Sequence, residues 1–313
     1  MPLSLEQQEA RKNRVGGSDM ATILGLSKWR TPYELFLQKT GEIPYVEAEE
    51  ESPADWGNIL EPAIAKKFEA RSELNGNLMK TRRHNAPIIN DEFPWLVANI
   101  DRDIVGQKTA LEIKNVNWRM GFEWGPDGTD QVVQEYLPQP MLYMLVMNLP
   151  TFHVAALIGG SDLRTYELKR DKEWDELILE ASHEFIYEHV LKGIPPEIEW
   201  AHRTTEDLLK KMYMEADGTE IVLSEEMSHW HSVLEQIKSE IKELSIAEKV
   251  AKNHIVAAMG NSSIGIMPDG SQYIRAKTKR AGFYVAPNEF VVLRHKKARK
   301  PKTKGIEDGA SIG

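Results

Sequence analysis

The sequence predicts an α/β chain in which a central mixed β-sheet is flanked by helices and followed by a mainly helical C-terminal extension. Three observations carry this. β-rich or alternating runs stand at residues 80–89, 93–100, 109–116, 151–158 and 163–170. Helical patterns precede, separate and follow them. After Gly193-Ile194-Pro195-Pro196 the texture changes to one long, charged, amphipathic helix, so the boundary is set there, with one domain over residues 1–197 and a second over 198–313.

Taken in order, residues 5–12 have a helical pattern. The stretch R-K-N-R-V-G-G-S-D-M-A-T-I-L-G then places Ser18 or Asp19 as the cap of a helix over 20–24, ended by Gly25. A glycine pair before such a helix leaves N–H groups for an anion, with Arg11 and Arg14 close by; an ordinary capped helix after a tight turn fits equally. Thr31-Pro32 starts a second helix closed by Gly41, and residues 46–53 form an acidic loop. In the next helix Trp56, Leu60, Ile64 and Phe68 make a buried stripe beside Glu61, and Pro62 is tolerable only near the helix start. Residues 118–130 read as a loop. Pro138 and Pro140 open a Met/Leu-rich core helix in which Gln139 and Tyr143 share a face. The last two strands form a hairpin through Gly159-Gly160-Ser161-Asp162, and residues 171–191 are helical. In the second domain Ser224 caps a helix over 225–259. There Trp230, Leu234, Ile237, Ile241 and Leu244 follow a three-four repeat, a seam that needs a partner. Pro268-Asp269-Gly270 signals a hairpin, and a basic cluster from Arg294 to Lys304 closes the chain.

The 313 residues include 41% hydrophobic and 28% charged residues, which fits a globular chain with a real core. No apolar run is long enough to span a bilayer and the first residues lack a signal-peptide centre, so a cytoplasmic protein is expected. The absence of cysteine excludes disulfides, thiolate-zinc sites and cysteine nucleophiles. A net charge of -9 argues against coating nucleic acid through overall basicity, while leaving room for a metal-binding acidic site. No phosphate-binding GxxxxGK, HExxH, G-x-S-x-G or dinucleotide motif occurs. His84, His153, His183 and His189 lack metal-ligand spacing, and aromatic residues near basic ones are too scattered for a base-stacking platform.

The chemistry concentrates at residues 101–114, D-R-D-I-V-G-Q-K-T-A-L-E-I-K. Asp101 ends the strand-like run 97–100, and Gly106-Gln107-Lys108 is a turn signal. In the following strand Glu112 and Lys114 share one face while Leu111 and Ile113 take the other. Two carboxylates held together in a sheet repel unless a hard cation sits between them, and a lysine beside such a cation can hold the attacking water for phosphodiester hydrolysis. The same residues also suit a solvated hairpin with its Glu/Lys pair on the wet face.

Four motifs stand in one order: Arg11 with G-G-S-D-M-A-T-I-L-G, then W-G-N-I-L-E, then Asp101 with E-I-K, then Q-P-M-L-Y. In that order they resemble the YqaJ-like viral recombinase family, the lambda-type phage alkaline exonucleases of the PD-(D/E)xK fold, over about residues 5–197. The resemblance implies Asp101, Glu112 and the Ile113 carbonyl as Mg²⁺ ligands, with Mn²⁺ able to substitute. It implies Lys114 as the water-positioning lysine, Glu61 at a second metal or its waters, Gln139 on the active-site helix and Tyr143 in support. Arg11 and Ser18 match the residues that bind the 5′-phosphate, and Arg11 fits that spacing better than Arg14. The chain departs from the pattern at Ile100, where proline is expected, and at Arg102, where a small residue is expected, which leaves Asp103 as an alternative ligand. The implied activity is a 5′-to-3′ exodeoxyribonuclease acting on duplex DNA ends in the host cytoplasm. A trimeric ring and a single-strand annealing protein are the implied assembly and partner. An endonuclease or repair nuclease of the same fold, or a non-catalytic DNA-binding protein, are the other readings.

Overall fold

The structure, a computed structural model, describes residues 12–44, 52–74, 77–215, 218–277 and 279. Arg11, the helical pattern before Lys12, most of the acidic loop and the basic cluster from Arg294 to Lys304 lie outside the described residues. By Cα proximity the chain divides into two compact units, Met1–Met212 and Tyr213–Gly313. The first unit runs beyond the boundary expected after residue 197, because the chain there returns to the core: Thr205 and Leu208 are buried, and His202 Nε2 lies 3.0 Å from the Ser27 carbonyl.

The first unit opens with β1 (Val15–Gly16), α1 (Gly17–Ile23), α2 (Pro32–Thr40) and α3 (Pro53–Arg71). Thr31 caps α2 by accepting the Glu34 N–H at 3.1 Å, and Gly41 ends it at φ 82°, as its sequence signals require. Next come β2 (Glu73–Leu74), β3 (Asn77–Leu78), β4 (Thr81–Arg83), β5 (Leu96–Val97), β6 (Arg102–Ile104) and β7 (Ala110–Val116). A 3₁₀ helix (Trp118–Glu123) occupies part of the stretch read as loop. It is followed by α4 (Pro138–Met147), β8 (Thr151–Ile158), β9 (Asp162–Lys169), α5 (Lys172–Glu184) with a π-helical continuation (Phe185–Val190), and α6 (Thr205–Met212).

The main sheet has the order β4-β6-β7-β8-β9, with β7 and β8 parallel and the other neighbours antiparallel. Period-2 alternation assigns its two faces. Leu111, Ile113 and Ala155 pack under Ile64 and Phe68 of α3, while Ala110, Val116, Val154 and Ala156 join the larger core with α1, α2, α4 and α5. This is the mixed α/β architecture expected, with helices on both faces.

Several local expectations change. The two strands read at 80–89 and 93–100 shrink to β4, β5 and one isolated bridge between Ile88 and Ala98. Pro87 and Pro94 interrupt them, since proline offers no N–H to a ladder. The hairpin that carries the acidic motif is therefore built by β6 and β7, not by residues 97–100. In α3 the buried stripe begins only at its C-terminal half: Ile64 and Phe68 are in the core, but Trp56 is 49% exposed. Pro62 lies in the interior of α3 rather than near its start, because Ser52 caps the helix and Pro53 begins it well before Pro62.

The second unit contains α7 (Glu225–Met259) and the antiparallel hairpin of β10 (Ile264–Ile266) and β11 (Gln272–Ile274). The hairpin turns at Gly270, which holds φ 84°. Ser224 is the N-cap residue of α7 but makes no side-chain cap bond.

Candidate active site

The sheet brings the acidic motif together by an interrupted pairing. β6 pairs with β7 through Arg102 with Leu111 and Asp103 with Ala110, and the pairing stops there. One residue before β6, the Asp101 side chain takes over: its Oδ2 accepts the Ile113 N–H at 2.7 Å. A carboxylate thus stands where the neighbouring strand's carbonyl would have been. On the other edge β7 keeps its ladder with β8 through Val116.

Glu112 and Lys114 project from this opened stretch toward α4. Glu112 is 4% exposed, so the solvated-hairpin reading does not describe this pair. Its Oε1 accepts hydrogen bonds from Lys114 Nζ and Gln139 Nε2, both at 2.7 Å. Lys114 Nζ also donates to Gln139 Oε1 at 2.8 Å, and Gln139 Nε2 donates to the Tyr143 hydroxyl at 3.0 Å. The i, i+4 spacing of Gln139 and Tyr143 on α4 makes this chain of bonds possible. The other oxygen of Glu112, Oε2, is buried without a hydrogen-bond partner.

The electrostatics follow from this crowding. Burial pushes the Asp101 carboxyl well above its ordinary range, the Glu112 charge adds to the rise, and Lys114 and the Ile113 N–H only partly oppose it. Burial pulls the Lys114 ammonium down, but the charges of Glu112 and Asp101 outweigh it, so Lys114 is raised and stays cationic. Its ammonium also sits 5.4 Å from the centre of the Tyr136 ring, which stacks on Trp124.

Other sequence candidates fall in different places. Asp103 points to a separate cluster, 3.1 Å from His84 Nδ1 and 3.3 Å from Arg82, because its partner Ala110 lies toward the hairpin turn, away from Glu112. Glu61 is buried and close enough to raise Asp101, but its oxygens are held by Arg102 at 2.7 Å and Arg83 at 3.7 Å. Arg14 donates from Nε to the Pro94 carbonyl at 2.8 Å. Ser18 is exposed and lines a cleft of about 490 Å³ together with Arg30, Lys114, Tyr136, Gln139 and Lys211.

The glycine pair before α1 serves packing. Asp19, not Ser18, completes the cap: its Oδ2 accepts the Gly16 N–H at 3.2 Å, and the N-cap residue is Gly16. A Cβ on Gly17 would lie 2.7 Å from both Gln139 and Tyr143, so glycine there lets α1 approach the site helix. Asp19 is fully buried and ion-paired with Lys39 at 3.0 Å and Arg30 at 2.8 Å. Sequence reading missed Tyr136, Arg30, Lys39 and Lys211. Only Tyr136, three residues before Gln139, carried a local signal. The aromatic and basic residues that looked scattered also pair, Arg203 over Trp29 at 4.6 Å and Arg119 over Trp118 at 5.4 Å.

Among the described residues no three His, Asp or Glu side chains converge as a closed metal cage. The donors present are Asp101, Glu112 and the neighbouring backbone. That set fits Mg²⁺, which takes one or two carboxylates and completes its shell with water and substrate phosphate. Glu112 Oε2 without a partner, beside an Asp101 carboxyl raised by burial and by the Glu112 charge, is an oxygen set that a divalent cation would satisfy.

Residues 6–150 match the sequence profile of the YqaJ-like viral recombinase domain. The chain is 34% identical over 261 residues to the protein YqaJ of Bacillus subtilis (strain 168), an alignment covering 82% of this chain and 78% of that one. The solved alkaline exonuclease LHK-Exo from Laribacter hongkongensis aligns with a TM-score of 0.46 and 17% identity, covering 65% of this chain and 95% of its own. A phage-related exonuclease from Haemophilus somnus 129PT aligns with a TM-score of 0.43 and 14% identity, covering 57% and 96%.

Proposed function

Because the chain belongs to the YqaJ-like viral recombinase family, we propose that it is a Mg²⁺-dependent deoxyribonuclease that digests one strand of linear duplex DNA from its 5′ end. The products are 3′ single-stranded overhangs for recombination by strand annealing. The observation that carries this reading is the cluster of half-buried Asp101, Lys114 and Gln139 around the buried Glu112, with its unpartnered carboxylate oxygen.

Asp101, Glu112 and the Ile113 carbonyl would hold the metal, and Mn²⁺ would substitute. When bound, the metal polarises the phosphate and makes its water a stronger nucleophile. Lys114, cationic and fixed by Glu112 and Gln139, orients the attacking water and offsets the charge that grows on the phosphate oxygens. Gln139 acts through its neighbours, locking the rotamers of Glu112 and Lys114. Glu61, held by Arg102, stands at the edge of the site, where contact with a second metal or its waters requires release from that pair. Ser18 offers its hydroxyl to a phosphate at the cleft, a contact that does not depend on base sequence. Arg11 joins it by family resemblance. A ring of three subunits, a single-strand annealing partner and action in the host cytoplasm complete the proposal on the same ground. No helix among the described residues is long and apolar enough to cross a membrane.

The test is digestion of linear duplexes with 5′-phosphate, 5′-hydroxyl or closed hairpin ends in Mg²⁺. Stepwise loss from phosphorylated ends is expected. Glu112→Gln should lower the rate by about 10²–10³-fold or more while duplex binding survives. Cutting of closed ends would replace the exonuclease with an endonuclease, and full activity in Glu112→Gln would remove the site assignment.

A further inference from the structure

The link between α1 and α2 is fastened residue by residue, and it leaves one large side chain open. The Leu26 and Ser27 N–H groups donate to the Ala21 carbonyl at 2.9 and 3.1 Å, and the Ser27 carbonyl faces His202 Nε2 at 3.0 Å. The Lys28 N–H donates to Glu135 Oε1 at 3.2 Å, and the Trp29 N–H to Ser27 Oγ at 3.1 Å. Arg30 donates to Asp19 at 2.8 Å and to Gln38 Oε1 at 2.9 Å. Between these ties the Trp29 side chain remains 60% exposed.

A single exposed aromatic ring is ordinary, so the place of this one matters more than its exposure. Trp118, Phe122 and Trp200 are exposed too, but of these four Trp29 lines the cleft that holds Ser18, Lys114 and Gln139. The Arg203 guanidinium lies 4.6 Å from the centre of its ring. That contact steadies the indole plane and sets a positive charge behind it, while most of the ring stays open.

The proposed nuclease reading, on which this inference rests, says what reaches that ring. A nucleotide with its 5′-phosphate at Ser18 and its 3′-phosphodiester at Lys114 is the terminal nucleotide of the strand being cut, and its base enters the same cleft of about 490 Å³. A base is a flat ring tied to an anion, and a fixed indole backed by a guanidinium suits both parts. Stacking also suits the task. An enzyme that removes every nucleotide in turn gains nothing by reading base edges, whereas each base offers a π-face.

We propose that Trp29, backed by Arg203, is the stacking platform for the base of the 5′-terminal nucleotide and holds that nucleotide while its 3′-phosphodiester lies at Lys114.

The test uses the full-length chain and linear duplexes whose 5′-phosphorylated terminal nucleotide carries either a base or, as a tetrahydrofuran residue, none. In the Glu112→Gln background, where cutting is suppressed, fluorescence anisotropy measures affinity. Adding Trp29→Ala should weaken binding of the normal end by about 10–100-fold, and adding Trp29→Phe by no more than about threefold. On the abasic end Trp29→Ala should change affinity by less than about twofold, because the group it stacks on is already gone. In the cleaving chain Trp29→Ala should raise KM on the normal end and spare kcat. Equal weakening on both ends would make Trp29 a structural part of its loop, and undiminished binding of the normal end would remove it from the site; either result overturns the proposal. Failure of the unsubstituted chain to cut any duplex would overturn the nuclease reading instead, while the binding comparison still decides for or against Trp29.

Discussion

Glu112 keeps one carboxylate oxygen in two hydrogen bonds and the other in none, and Asp101 beside it is pressed toward its protonated form. Its carboxyl is raised in the fold, so between the ordinary carboxylate pKa and the raised one the folded protein holds a proton that the unfolded chain has lost. The metal-free protein therefore loses stability as pH rises through that window, and bound cation restores it only once Asp101 is ionised. Mg²⁺ should raise the melting temperature less at the acid end of that window than above it; an equal shift at both ends would remove Asp101 from the metal site. A second residue-scale cluster lies beneath α1. Lys39 is fully buried against Asp19 and also donates to the Arg14 carbonyl at 2.7 Å. Lys39→Met should cost about 3–5 kcal/mol in urea denaturation, since it strips a buried charge of one partner. Adding Asp19→Asn should recover part of that loss, because the buried charge then held by Arg30 alone is gone.

At the scale of elements, local signals were readable and distant pairings were not. Thr31 and Gly41 bound α2 because a cap and a left-handed glycine act within a few residues. Alternation in β7 put Glu112 and Lys114 on one face for the same reason. By contrast, Asp19 looked like a simple cap, since its cationic partners stand 11 and 20 positions away. The pairing of Glu61 with Arg102, 41 residues on, could not be assigned by spacing. Even the choice between Asp101 and Asp103 needed the β6–β7 register, since the two lie on one face of the strand and a two-residue shift would exchange their places. Within α3, exposed Pro62 removes a backbone donor from the middle of the helix and costs up to about 3 kcal/mol there. Pro62→Ala should therefore raise stability by about 1–3 kcal/mol in denaturant titration. Lower stability would mean that Pro62 is needed to seat Glu61.

For the whole molecule, the division after Met212 separates the layered α/β unit from the unit that carries α7. All the site residues described belong to the first unit, including Lys211 at the cleft. A chain ending at Met212 should fold in one cooperative transition and keep Mg²⁺-dependent cleavage; loss of the transition in a calorimetric melt would show that the first unit needs the second. Composition and strand count announced this layered plan, while the true end of the first unit stayed hidden because His202 and Leu208 return to elements far back in the chain. The opened edge of β7 has one more consequence. The Ile113 amide is tied to a side-chain carboxylate rather than to a neighbouring strand. Its proton is therefore traded with solvent at a rate set by the charge on Asp101, while the rest of β7 is governed by its ladder with β8. That single amide reads out, as a slow or fast isotope label, whether the site is charged and ready.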